Sequence, residues 1–547
     1  MLEVGASHRT SSSIRTYFAH SRTTQVPFPR LRSRQQRHRT EKLVTQAQAA
    51  PAMAVEQKAT DTAPSRAAID AALTTDFSPE QVERLPLKVS GSIPAWLHGD
   101  YIRNGPGTFK GMKHLFDGYG MLVKFSIKDG NVTTQQRFVQ SNAYLKFIER
   151  GGKLKYNEFG TARPALESLP VIAAGLLGLG QGFTDNATVN VFPSNADGSE
   201  LLAVTESVRG TYRMDTNTLA TKSQEKFTDN IKGDLNTAHP KLLPNGDTIN
   251  IVVGFGDSYK VVRQRREEHS REEIAKIPLS QYPAPSWIHD FPVTKNYVIV
   301  PETPIYFNML AALTIGSAPY VQFDWKPETG SLLHLVPLDG DKSKIRHVKA
   351  PPYFTFHYFN AYETDDGKSI HMDFSNFEQP EMLNAMYLDN MRASKSSVCP
   401  SPVTRLTLPL SGDGEATMSK LMKNDAEYTF SELPRINPHY KGQQYRYGYS
   451  VSSKLPASFG NALSKFDMQE GTSKQWFEAG CIPVEPLMVP SPDAKSEDDG
   501  VVLSIVMGAD GKSFLLCLDA KTFEELGRAH LPYGIPYGFH ASFVPAH

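Results

Sequence analysis

The sequence predicts an all-β protein, a β-propeller, and three observations carry that prediction. Most apolar runs are four to eight residues long and rich in Val, Ile, Tyr and Phe, as in Thr188-Val-Asn-Val-Phe192, Ile249-Asn-Ile-Val-Val253 and Tyr297-Val-Ile-Val300. That length and composition belong to strands. Extended helical periodicity is scarce, while 39 glycines and 38 prolines punctuate the chain. A turn pattern also recurs, an apolar residue and Asp followed by polar residues with Gly or Thr. It stands at Phe125…Asp129-Gly130, Met214-Asp215…Thr218, Phe323-Asp324…Gly330, Phe466-Asp467…Gly471 and Leu518-Asp519…Thr522. Repeated hairpin chemistry at intervals of roughly fifty residues or multiples of it predicts blades that each end on the same outer hairpin. A β-sandwich array is the competing architecture.

From the N-terminus, residues 1–55 carry nine Lys/Arg against only Glu3 and Glu41, are rich in Ser and Thr, and lack a continuous apolar core. They read as an organelle transit peptide, plastid before mitochondrion, with cytoplasm left if the stretch is merely a basic tail. The small residues Ala47-Gln-Ala-Ala-Pro-Ala-Met-Ala54 suit a cleavage region. The remainder holds 49 basic and 56 acidic residues, which argues against nucleic acid as a partner. Further along, Leu169-Pro-Val-Ile-Ala-Ala-Gly-Leu-Leu-Gly-Leu-Gly180 is too short for the ~20 apolar residues that span a bilayer. Its glycines only brush a dinucleotide fingerprint, with no βαβ unit around them. It reads either as an apolar loop dipping into one leaflet, giving peripheral membrane contact through about 162–183, or as a buried core helix. Cys399, Cys481 and Cys517 form no CxxC pair, so neither a disulfide framework nor a zinc–thiolate site is expected.

Four histidines stand in short apolar or aromatic segments: Asn236-Thr-Ala-His239-Pro, Trp287-Ile-His289-Asp-Phe, Phe354-Thr-Phe-His357-Tyr and Tyr537-Gly-Phe-His540-Ala. Inner strands of successive blades approach one axis, so one imidazole from each of four blades can meet there without local spacing. Four neutral imidazoles would leave a divalent ion its full charge and open coordination positions. Their donor character points to iron, with zinc or copper as alternatives. Metal-bound imidazoles need their second nitrogen satisfied, usually by a carboxylate. Glu206, Glu432 and Glu485 lie in apolar settings that make an unpartnered carboxylate costly. Structural ion pairs are the plain alternative for each.

A family resemblance rests on Gly99-Asp-Tyr-Ile-Arg-Asn-Gly-Pro106, His114-Leu-Phe-Asp-Gly-Tyr-Gly-Met121, Thr237-Ala-His-Pro240, Trp287-Ile-His-Asp-Phe-Pro292, Glu432-Leu-Pro-Arg-Ile-Asn437 and Glu497-Asp-Asp-Gly-Val-Val-Leu-Ser504. Together these segments resemble the carotenoid cleavage oxygenase family, from about Phe77 to the C-terminus. Asn157-Glu-Phe-Gly-Thr161 and Thr184-Asp-Asn-Ala-Thr-Val-Asn-Val191 look most like its animal-type branch of β-carotene oxygenases and the retinoid isomerohydrolase. The resemblance implies a seven-bladed propeller under a dome of loops and helices over 76–547, preceded by a linker at 56–75. It implies one Fe2+ on His239, His289, His357 and His540, with Glu206 orienting His289, Glu432 orienting His357 and Glu485 orienting His540. His239 has no such partner. Where animal members often carry a cysteine after the Phe-Gly-Thr, this chain has Ala162-Arg-Pro-Ala-Leu, so lipidation there is not supported.

The implied reaction is cleavage of a conjugated C=C bond of a carotenoid or apocarotenoid by O2 into two carbonyl products. The hydrophobic polyene would lie in an apolar tunnel whose walls include Phe159, Thr205, Phe291 and Phe377. The alternatives are a stilbenoid-cleaving dioxygenase, whose Tyr/Lys/Glu set finds no convincing place here, a retinoid-ester isomerohydrolase, and a catalytically silent scaffold.

Overall fold

Asp129 and Gly130 both adopt left-handed backbone angles, φ 49° and 75°, and close a two-residue hairpin in which Lys128 faces Asn131. The Asp side chain of three other recurring turns accepts a backbone N–H three residues on, Asp215 from Thr218, Asp467 from Glu470 and Asp519 from Thr522. These four turns each join the third and fourth strands of a sheet, counted from the axis. The fifth, Phe323…Gly330, differs: it links a separate two-stranded hairpin (Ile305–Phe307 with Phe323–Trp325) to the next sheet.

The computed structural model describes residues 62–163, 183–256, 258–308, 323–393, 398–423, 430–455 and 457–546. Its sheets form the seven antiparallel blades of a propeller. Blade 1 comprises Gly99–Arg103, Met121–Lys128, Asn131–Phe138 and the outer Gln81–Pro86; blade 2 runs from Asn190–Pro193 to Thr221–Gln224. Blade 3 is built on Thr248–Gly254, Ser258–Gln264 and Arg271–Pro278, and blade 4 on Tyr297–Glu302, Ser331–Pro337 and Arg346–Ala350. Blade 5 runs from Tyr358–Glu363 to Thr417–Lys420, blade 6 from Ser431–Ile436 to Thr472–Phe477, and blade 7 is centred on Gly500–Met507, Ser513–Asp519 and Glu525–His530.

Closure uses both ends of this body. The late strand Ala541–Pro545 pairs with Gly99–Arg103 as the innermost strand of blade 1, and the early strand Lys88–Gly91 pairs with Glu525–His530 at the outer edge of blade 7. Each blade edge that would stay open at the seam is thereby paired.

The stretch expected as a linker is folded from Thr62 onward. Ser65 caps a helix, Arg66–Ala72, by accepting the Ala68 N–H, and Ala68, Ile69 and Ala72 are buried. Ser65 N–H donates to the Gly480 carbonyl, and the Tyr537 N–H reaches back to Ala72. Small apolar spacing behind a serine cap is a weak signal beside the Ala/Thr-rich residues that precede it. The expected transit peptide and most of the expected membrane-contacting stretch lie outside the described residues. Among the described residues no helix is long and apolar enough to cross a membrane.

A cover lies over one end of the axis. The short helices Met382–Ala385 and Leu388–Arg392 dock on the 113–117 segment, where Leu115 N–H donates to Met386 and Leu388 N–H to Lys113. His114 is fully buried there and hydrogen bonds through Nε2 to the Leu383 carbonyl at 2.8 Å. Asp117 ties this segment to the next by accepting from the Gly160 N–H and the Thr161 hydroxyl.

Candidate metal centre

The candidate ligands sit at a break in an inner strand, just before one, or in the loop leading to one. His239 sits between Leu235–Asn236 and Lys241–Leu242, two short segments that pair with the same strand of blade 3. His357 and His540 immediately precede the innermost strands of blades 5 and 1, and His289 lies in the loop leading to blade 4. Glu485 fills the gap between Ile482–Pro483 and Leu487–Pro490 in blade 7. Glu432 stands at a register irregularity in blade 6, where Leu433 takes a left-handed φ of 52°.

Ring edges converge on one point. The Nε2 atoms of His239 and His289, of His289 and His357, and of His357 and His540 are each 3.2 Å apart. The four ligand atoms all lie within 4.8 Å of one another, and all four residues are buried. Neighbouring rings stand edge-on, at 62° to 85°. Two nitrogens held about 2.1 Å from one ion at right angles lie roughly 3 Å apart, which is the observed spacing.

The backs of three rings are fixed by carboxylates. His357 Nδ1 meets Glu432 Oε2 at 2.6 Å, and His540 Nδ1 meets Glu485 Oε1 at 2.7 Å. His289 Nδ1 pairs with Glu206 Oε1, and Glu206 Oε2 accepts from the Trp287 indole at 2.9 Å. An Nδ1–H donated to a carboxylate leaves Nε2 with its lone pair. At least three lone pairs therefore point at a common centre in a buried site, an arrangement that a cation stabilises and an empty space does not. The donor set is all neutral nitrogen, which suits a borderline transition ion.

Electrostatics favour the neutral ring at three of the four histidines. Burial, reinforced by the neighbouring imidazoles, holds His239 and His357 well below the usual histidine range. His540 is also lowered by burial, against the pull of Glu485. At His289 burial is outweighed by Glu206, and its pKa rises. Glu485 stays ionised although burial opposes its charge: Arg435 leads the groups that hold it down at about 2, with the Arg435 Nε 2.8 Å from Oε1. Glu432 differs, pushed up to about 8 by burial, and its Oε1 has no hydrogen-bond partner among the described residues. A dication among the nitrogens would pull it back down.

An aromatic layer from the cover and the blades closes over the rings. Phe116 lies parallel to His289 with centroids 6.5 Å apart, and Phe356 meets His289 edge-on at 5.6 Å. Phe539 touches Phe116 at 5.6 Å. Of the residues singled out from the sequence as tunnel walls, Phe159 packs on Phe116 and Trp287 at 5.2 and 5.7 Å, and Phe377 packs on Phe356 at 5.6 Å. Thr205 precedes Glu206 and is held by its N–H to the Gly210 carbonyl. Phe291 is fully buried but lies beside Lys241, whose Nζ is 5.4 Å from its ring; it has no described ring contact with the histidines or this layer. Phe116, Trp287, Phe356 and Phe539 were not singled out. The last three neighbour ligand histidines in sequence, which was the available signal, whereas Phe116 arrives from the cover and no local spacing announces it.

A propeller with four convergent axial imidazoles, three of them backed by carboxylates, defines the class: a candidate mononuclear centre ligated by histidine alone. The chain belongs to the RPE65/carotenoid oxygenase family, whose model, described as retinal pigment epithelial membrane protein, matches residues 75–545. It is 35% identical over 471 residues to carotenoid cleavage dioxygenase 8 homolog B, chloroplastic, of Oryza sativa subsp. japonica, covering 84% of this chain and 82% of the relative. It is 31% identical over 522 residues to β,β-carotene 15,15'-dioxygenase of Mus musculus, covering 85% and 90%. Plant and animal members thus match it at comparable identity. The fold superposes on cobalt-substituted Synechocystis ACO with a TM-score of 0.74 at 25% identity, covering 88% of this chain and 99% of that one.

Proposed function

We propose that this chain is an Fe2+-dependent dioxygenase that cleaves a conjugated C=C bond of a carotenoid or apocarotenoid into two carbonyl products. The observation that carries the reading is the set of buried Nε2 atoms spaced 3.2 Å apart, with their rings fixed from behind. Relatives named carotenoid cleavage dioxygenases support the reaction class. Bound iron would supply the activation of O2. His239, His289, His357 and His540 would hold it, and Glu206, Glu432 and Glu485 would fix three of the tautomers and ring orientations. The aromatic layer of Phe116, Phe159, Trp287 and Phe356 excludes water and offers flat apolar faces along which a polyene can lie, with Phe377 behind it. Thr205 and Phe291 stay candidates for the wall at lower reach. No side chain is needed as an acid or base, because neither bond cleavage nor carbonyl formation requires a net proton transfer.

The name "chloroplastic" carried by plant relatives supports reading residues 1–55 as a plastid address. Membrane contact through about 162–183 would let an insoluble polyene enter directly from a lipid phase.

The test is incubation of iron-loaded protein with a panel of carotenoids and apocarotenoids under 18O2. Two labelled carbonyl fragments per polyene are expected. Turnover of a retinoid ester without oxygen uptake, or cleavage of a hydroxystilbene alone, would replace this reading.

A further inference from the structure

Blade 4 contains a second carboxylate–histidine assembly, built from side chains other than the four axial histidines. His334, on Ser331–Pro337, stands directly opposite His347 on the antiparallel strand Arg346–Ala350. Their Nδ1 atoms face one another at 2.7 Å, and the rings meet at 82° with centroids 5.0 Å apart. Behind His334, its Nε2 lies 3.2 Å from Glu302 Oε2. Glu302 is fully buried, on the neighbouring strand Tyr297–Glu302. It also accepts the Ser280 hydroxyl at 2.7 Å and the Gln281 N–H at 3.1 Å. Burial works against its charge, yet His334 and the other donors outweigh burial and lower its pKa.

An ionised Glu302 makes His334 Nε2 the donor, so a neutral His334 directs its Nδ1 lone pair at His347. Only two things satisfy two facing imidazole nitrogens: a single proton on one of them, or a cation between them. His334 is 1% exposed, whereas His347 is exposed on the outer strand of the blade. A metal can therefore approach from the His347 side. Nitrogens bound about 2.0–2.1 Å from one ion sit roughly 3.0–3.4 Å apart, with the ion off the line that joins them, so His347 must move outward by a few tenths of an ångström and turn its Nδ1 toward the ion. Its exposed ring has the freedom to do so.

We infer that His334 and His347 form a second metal site, which takes a borderline divalent ion of the Cu2+ or Zn2+ kind through their two Nδ1 atoms, with solvent completing its shell and Glu302 orienting His334. Among divalent ions, imidazole pairs bind Cu2+ most tightly, so copper is the probe. Iron-loaded protein, its axial site filled, is titrated with Cu2+ while bound copper, retained iron and the copper electron paramagnetic resonance spectrum are followed. One copper per chain with two-nitrogen coupling and no iron released is expected. His347→Ala should lose at least tenfold in affinity and the coupling, whereas His439→Ala, at another exposed histidine, should behave as wild type. Absence of a copper site in the iron-loaded protein overturns the inference, and so does equal binding by His347→Ala. Copper that enters only as iron leaves, mole for mole, overturns it too and identifies the pair as proton-bridged.

Discussion

Glu485 illustrates how much one carboxylate does in this molecule. It receives His540 Nδ1, the Arg435 guanidinium and the Ala541 N–H, joining blades 7, 6 and 1 at the candidate ligand. Glu485→Gln keeps the shape and removes the charge, and iron affinity and turnover should each fall ten- to a hundredfold, read by iron content and initial rate. A different response is expected at Glu158, a buried carboxyl beside Phe159. Burial, with Asp117 adding to it, raises its pKa well above 4.5. The unfolded chain therefore gives up this proton at lower pH than the folded one, and stability is lost as pH climbs above 4.5, by about 1.4 kcal/mol per unit for one proton. Glu158→Gln should flatten that loss, so its melting temperature should gain on wild type between pH 5 and 7; a constant difference would refute the assignment. At this scale the histidines were legible because apolar flanks make an imidazole conspicuous. The match of each glutamate to its histidine was not a matter of spacing: Glu432 and His357 are 75 residues apart, and only a family resemblance suggested the pair. Phe116 was illegible because its neighbour in space, His289, comes from another blade.

Among the elements, the outer hairpins were readable from Asp, Gly and Thr, since the same Asp-to-N–H hydrogen bond recurs at three of them. The inner strands were harder to read. Their breaks at His239 and Glu485 leave pairs of two- to four-residue segments, too short for any periodicity to register. Those breaks turn side chains toward the axis at positions a regular strand would commit to its blade faces. The helix at Arg66–Ala72 was missed for a related reason: seven residues hold only two turns, and tertiary contacts with Gly480 and Tyr537 stabilise it. Removing residues 541–547 deletes the innermost strand of blade 1 and exposes the edge of Gly99–Arg103. The truncated chain should lose cooperative thermal unfolding and aggregate, as followed by circular dichroism and light scattering.

For the whole molecule, a ligand that binds only the folded state stabilises it by mass action, about 2.7 kcal/mol at a hundredfold excess over Kd. Adding Fe2+ to metal-free protein should raise its melting temperature in a concentration-dependent way. His289→Ala should show no such rise, and an equal rise would place the stabilising ion elsewhere. The all-β class was visible from composition and turn chemistry. The number of blades was visible only through kinship, because blade 4 has three described strands where others have four to six and the repeat is too divergent to count.

The seam between the first and last blades bears on biogenesis. His540 follows His357 by 183 residues and adjoins the strand that locks the ring, so a nascent or translocating polypeptide carries three of the four nitrogen donors and no finished cage. Capture of a metal by all four donors would thus wait on completion of the circle, in whichever compartment that step takes place.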